Sequence, residues 1–131
     1  MNHSDAVAFA DRWLAAWNSH DIEEVLTHFA DDVVFTSPVA AQVVPDSAGV
    51  LRGKEALRSY WTTAIDRIPD LHFSLVAVYA GIDHVVINYR NHVGGLVCEV
   101  LRMSGRLVSE GHGTYLTSDA AQASGVDGAR R

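Results

Sequence analysis

The sequence predicts an α+β domain built from three helices in the N-terminal half and an antiparallel meander after them. Three observations carry this. Apolar residues recur at three- and four-residue steps up to about residue 68. Beyond that point they alternate with polar residues and are interrupted by short Gly-containing turns. The two patterns are segregated along the chain, helices first and a meander after, which separates α+β from alternating α/β architectures.

The first helix is expected from Ser4, a good N-cap, to Trp17, with Val7, Phe9, Ala10, Trp13, Leu14 and Trp17 on one face. Asp21 caps a second, running to about Ala30, with Ile22, Val25, Leu26 and Phe29 inward and Asp31 and Asp32 breaking it. Val33 to Ser37 reads as a short strand stopped by Pro38, and Pro38 to Gly53 as a long loop. Lys54 to Ile68 forms the third helix through Ala56, Leu57, Tyr60, Trp61, Ala64, Ile65 and Ile68, and Pro69 closes it. Four strands follow at 71–80, 84–91, 96–103 and 106–116, with turns at Gly81–Asp83, Gly94–Gly95 and Ser104–Gly105. Residues 1–116 are read as one domain, and 117–131, where Val126 is the one large aliphatic residue, as a flexible tail.

The 131 residues are 48% hydrophobic and 20% charged, which suits a single domain with a proper core and excludes a fully disordered chain. A net charge of −6 argues against nucleic acid as a partner. No apolar run is long enough for a membrane span, and the acidic start does not read as a signal peptide. The lone Cys98 predicts no intrachain disulfide and a reducing, cytoplasmic setting. None of the seven histidines has HExxH-type spacing, so no metal is predicted. Phosphate-binding glycine loops and a GxSxG elbow are absent, and no cofactor is expected.

The segments Trp13–Asp21 (WLAAWNSHD), Phe29–Phe35 (FADDVVF), Leu51–Leu57 (LRGKEAL) and Glu99–Val108 (EVLRMSGRLV) resemble the NTF2-like superfamily. Within it they are most similar to small SnoaL-like and ketosteroid-isomerase-like proteins. The resemblance covers about residues 5–116. It implies a curved antiparallel sheet wrapped around the three N-terminal-half helices into a cone, with a pocket at its open end, but not one function, because the fold hosts isomerases, cyclases, dehydratases, hydrolases and non-catalytic binders. In ketosteroid isomerase an Asp is the base, and a Tyr and a protonated Asp bind the enolate oxygen. The resemblance places Ser37 at the base position, Trp13 at the Tyr position and Glu99 at the acidic donor position. Classical 3-oxosteroid isomerisation is therefore not expected.

Alternation puts Glu99, Leu101 and Met103 on one strand face and Cys98, Val100 and Arg102 on the other. Facing an apolar cavity, Glu99 would hold its proton near neutral pH and act as a general acid or oxyanion donor. On an open face it would instead pair with Arg102 or Arg90. His112 shares a face with Glu110 and Thr114 and is the candidate base, against a reading in which that face is exposed. Trp13, Trp17, Phe35, Ser37, Tyr60, Trp61, Tyr89, Leu101 and Met103 are the expected ligand-binding residues, though aromatics at helical spacing also suit a plain core. The expected ligand is a small apolar or polycyclic molecule, handled by cofactor-independent isomerisation, cyclisation, dehydration or epoxide hydrolysis. The alternative is a non-catalytic binding or assembly domain. A homodimer through the outer sheet face is expected, because Val76, Val86, Cys98 and Val100 leave that face apolar.

Overall fold

A computed structural model describes residues 2–117; the tail predicted as flexible lies outside them, Thr117 apart. Helix α1 spans His3–Asn18, α2 Ile22–Leu26, α3 Pro38–Val43 and α4 Lys54–Arg67. Six strands form one sheet: β1 Phe29–Thr36, β2 Val50–Arg52, β3 Ser74–Ala80, β4 His84–Arg90, β5 Leu96–Ser104 and β6 Leu107–Tyr115. Their order across it is β2-β1-β6-β5-β4-β3. All neighbours are antiparallel except β1 and β6, which run parallel, so the sheet is mixed at one end.

Several boundaries differ from expectation for local reasons. Asn2, not Ser4, caps α1: its side-chain oxygen accepts from the Asp5 amide at 2.8 Å. The second helix stops at Leu26, and Asp31 and Asp32 lie in β1, where the register with β6 shifts between Phe29 and Val34. The expected 38–53 loop is built: Pro38 opens α3, a 3-10 turn spans Pro45–Ser47, and β2 follows. Pro38 does stop β1, but it then occupies the first helical turn, where its missing N–H costs nothing. Ser37 caps that turn, its hydroxyl accepting from the Val39 amide at 3.1 Å.

The core lies between the concave sheet face and the helices. From α1 come Ala6, Phe9, Ala10, Trp13, Leu14 and Trp17; from α4, Leu57, Tyr60 and Trp61; from the sheet, Val85, Ile87, Val97, Leu101 and Val108, all buried. Asn18 at the end of α1 fastens the start of β3: its amide donates to the Phe73 carbonyl at 2.9 Å and its oxygen accepts from the Phe73 N–H at 2.8 Å. On the convex face Val76 and Tyr79 are exposed, and Leu75, opposite Tyr89, is exposed at the sheet edge. Among the described residues no helix is long and apolar enough to cross a membrane.

Candidate functional site

Between α1, α4 and the concave sheet lies a pocket of about 70 Å³. That exceeds the ~10–15 Å³ one ordered water needs, yet falls far below the ~300–1,000 Å³ of pockets that enclose drug-sized ligands. Trp13 and Trp17 reach it from α1, Tyr60 and Trp61 from α4, Phe35 and Ser37 from β1 and its end, Tyr89 from β4 and Glu99 from β5. These eight predicted residues are thus brought together. The rings pack on one another: Trp61 meets Trp17 and Phe29 at 5.0 Å and Phe35 at 5.5 Å, and Phe73 stacks on Tyr89 at 4.2 Å.

Three predicted site residues stand elsewhere. Leu101 is fully buried in the core, against Phe35 and the backbone of Gly111, and does not line the pocket. Met103 lines a different cleft with Phe9, Arg12 and His28. His112 lies on the convex face. There Thr36 Oγ1 sits 2.6 Å from its Nδ1, and its Nε2 lies 2.6 Å from Glu110 Oε2. The cause is a register irregularity between Arg102 and Met103: Arg102 pairs with Glu110 but Met103 with Val108, leaving Ser109 as the extra residue. Strict alternation from the buried Val108 would turn Glu110, His112 and Thr114 inward. The bulge reverses the phase, and Gly111, Gly113 and Tyr115 face the helices instead.

Glu99 is 7% exposed and pairs with neither Arg102 nor Arg90, which bond Asp83 and the Gly94 carbonyl. Tyr89 Oη donates to its Oε1 at 2.9 Å, while its Oε2 is buried with no protein partner. Burial raises the Glu99 pKa to about 7; the Tyr89 hydrogen bond and the nearby His112 charge only partly oppose it. Burial also raises Tyr60, Tyr89 and Tyr115, and the Ser37 hydroxyl pulls Tyr60 and Tyr115 the other way. Gly113, opposite Glu99 on β6, keeps this corner open: a Cβ there would lie 3.5 Å from Ser37 Oγ and 3.7 Å from Glu99 Oε1.

Sequence reasoning missed Phe73, Asn91, His92, Val97 and Tyr115, among others that line the pocket. Among the seven histidines, nothing in the spacing of His92 singles it out. It lies just beyond β4 and burial lowers its pKa, so it stands on the wall as a neutral imidazole. The alternation that placed Tyr89 inward also places Asn91 inward and could have found it. Nothing local marks His92 or Phe73, which the 91–95 turn and the Asn18 clamp position. Among the described residues, no three His, Cys, Asp or Glu side chains gather in a way that could hold a metal ion.

A curved mixed sheet packed around helices in this way is the NTF2-like cone architecture. The chain belongs to the SnoaL-like domain family, whose model matches residues 10–127. A SnoaL-like protein of unknown function from Burkholderia thailandensis is similar at 39% identity and TM-score 0.84, over 88% of this chain and 97% of that one. The fold is shared with a ketosteroid-isomerase-like protein from Catenulispora acidiphila in complex with trimethylamine (22% identity, TM-score 0.68, 88% and 92% covered). It is shared too with AclR, a putative hydroxylase from Streptomyces galilaeus (18% identity, TM-score 0.69, 88% and 91% covered). No curated protein matches the chain.

Proposed function

We propose that this protein binds a compact, mostly apolar small molecule in the aromatic pocket and moves a proton on it through Glu99, without a cofactor. The observation that carries this reading is the asymmetry of one carboxyl. Its Oε1 is held by Tyr89, and its Oε2 is left without a protein partner in a residue that lines the pocket. With a pKa of about 7, both protonation states are populated near neutral pH. The carboxylate takes a proton from a carbon beside a carbonyl, and the neutral carboxyl returns one to another carbon, so nothing is consumed. Isomerisation fits this exchange; in dehydration the neutral carboxyl gives its proton to the departing hydroxyl instead of to carbon, and the hydroxyl leaves as water. His92, kept neutral by burial, is the second proton acceptor on the wall.

The pocket volume supports a compact ligand over a polycyclic one. That a protein of this fold holds trimethylamine accords with this size class. A non-catalytic binder is the second reading. It is favoured by Ser37 at the position where the resemblance puts the base, and by His112 lying outside the pocket. The two separate in deuterium exchange at the acidic carbons of small ketones, followed by NMR. Catalysed exchange whose pH profile turns near 7, and which Glu99→Gln abolishes, supports proton transfer. Binding without exchange supports the second reading.

A further inference from the structure

Four buried polar atoms on the pocket residues have no partner in the protein: Trp13 Nε1, Trp17 Nε1, Asn91 Nδ2 and Glu99 Oε2. The two indole nitrogens can only donate. Asn91 has already committed its oxygen, which accepts from the Gly95 amide at 2.8 Å and the Val93 amide at 3.2 Å. Its free group is therefore the NH₂, again a donor. Glu99 Oε2 donates whenever the carboxyl is neutral, since Tyr89 already donates to Oε1. With the carboxyl neutral, the fully buried unpaired groups of this pocket thus share one polarity, with the half-buried His92 as an acceptor beside them, and no Lys or Arg lines it.

From this one-sided set of donors we infer that the pocket selects an uncharged, compact ligand carrying two oxygen acceptors, of the enolisable dicarbonyl class, over an alkylammonium cation. The inference deepens the reading of Glu99 given above and rests on it for the use of that carboxyl. An aromatic box holding a carboxyl group would by itself suit a cation over the ring faces. A cation, however, answers only Glu99 and leaves three buried donors unpaired, whereas ligand oxygens pair them. A carboxylate ligand fits less well, because nothing on the wall carries a full positive charge to balance it beside Glu99. Several donors also need more lone pairs than a single ligand oxygen presents, and two carbonyl oxygens supply them.

The test is equilibrium binding of 2,4-pentanedione and of tetramethylammonium to the whole chain at pH 6, where Glu99 is mostly neutral. The dione is expected to bind about tenfold tighter than the cation. Asn91→Asp keeps an oxygen for the Val93 and Gly95 amides but replaces the free donor with an acceptor. It is expected to weaken the dione about three- to tenfold and to strengthen the cation. Trp13→Phe, which retains a ring and removes the N–H, is expected to weaken the dione by a similar factor, with circular dichroism confirming that both variants fold. The inference is overturned if tetramethylammonium binds as tightly as the dione, if the dione does not bind at millimolar concentration, or if Asn91→Asp folds and leaves both affinities unchanged. A protein that binds the dione but exchanges no protons refutes the acid–base reading and leaves the ligand class standing. One that exchanges protons yet prefers the cation does the reverse.

Discussion

The phenol of Tyr89 donates to Oε1 of Glu99 across 2.9 Å, and both residues are buried on adjacent strands. Glu99 pairs across the ladder with Ile87, so Tyr89 reaches it diagonally from two residues along β4. This contact divides the carboxyl into an anchored oxygen and a free one, and the first two predictions follow from it.

Glu99→Gln should flatten the pH dependence of stability. The folded pKa of about 7 lies above the ordinary 4.5, so the native state holds its proton more tightly than the unfolded chain. That contribution is complete below pH 4.5 and is lost as pH rises to 7. At ~1.36 kcal/mol per pKa unit, wild type should lose on the order of 3 kcal/mol relative to the Gln variant across this window. Melting curves from pH 4 to 9 read the difference. A wild type that gains stability over the variant as pH rises through 4 to 5 would show a depressed pKa and sink the assignment.

Tyr89→Phe removes the hydrogen bond that pulls the Glu99 pKa down, so that pKa should rise further. The variant should also cost about 1–3 kcal/mol, because Oε1 is left buried and unpaired. Infrared or NMR titration of the carboxyl measures the first effect and denaturant unfolding the second. A downward pKa shift would contradict the arrangement described.

Gly113→Ala and Gly111→Ala should separate pocket from core. A Cβ at Gly113 makes ordinary contacts with Ser37 and Glu99, so the fold should tolerate it or gain ~0.4–1 kcal/mol from a stiffer unfolded chain. The same methyl fills the corner beside Glu99, and ligand affinity should drop about tenfold or more. At Gly111 a Cβ would come within 3.0 Å of Phe35 and 3.1 Å of Leu101, and overpacking should cost about 1–3 kcal/mol. Thermal melts and one binding isotherm per variant decide. Equal effects at the two sites would show that Gly113 is packing alone.

We propose that the convex face pairs two copies of the chain. Val76 and Tyr79 are 51% and 59% exposed there, beside the half-buried Val86, Cys98 and Val100. Light scattering at micromolar concentration should return twice 14.2 kDa, and Tyr79→Glu should shift the mass toward 14.2 kDa. A wild type that scatters as 14.2 kDa refutes the pairing.

What the sequence determined by itself is whatever rests on local periodicity. The spacing of Trp13 and Trp17 on α1 and of Tyr60 and Trp61 on α4 turned those rings inward, and the structure places all four on the pocket wall. Alternation along β5 turned Glu99 inward for the same reason: side chains in an extended strand repeat every two residues whatever the partner strand does. Tertiary structure alone decided whatever depends on phase between strands. The extra residue Ser109 carries His112 to the convex face and hands the concave one to Gly111, Gly113 and Tyr115, because one inserted residue flips every side chain beyond it. Nothing in the string GHGTY announces that shift; it shows only when β6 is laid against β5. The same holds for β1, whose parallel pairing with β6 joins residues some 76 positions apart and brings Ser37 beside Gly113 and Glu99. Depth followed as well. Leu101 shares the strand face of Glu99, yet it is fully buried beside Gly111 while Glu99 lines the cavity, and only the packing of the layers above a strand can distinguish two neighbours on one face.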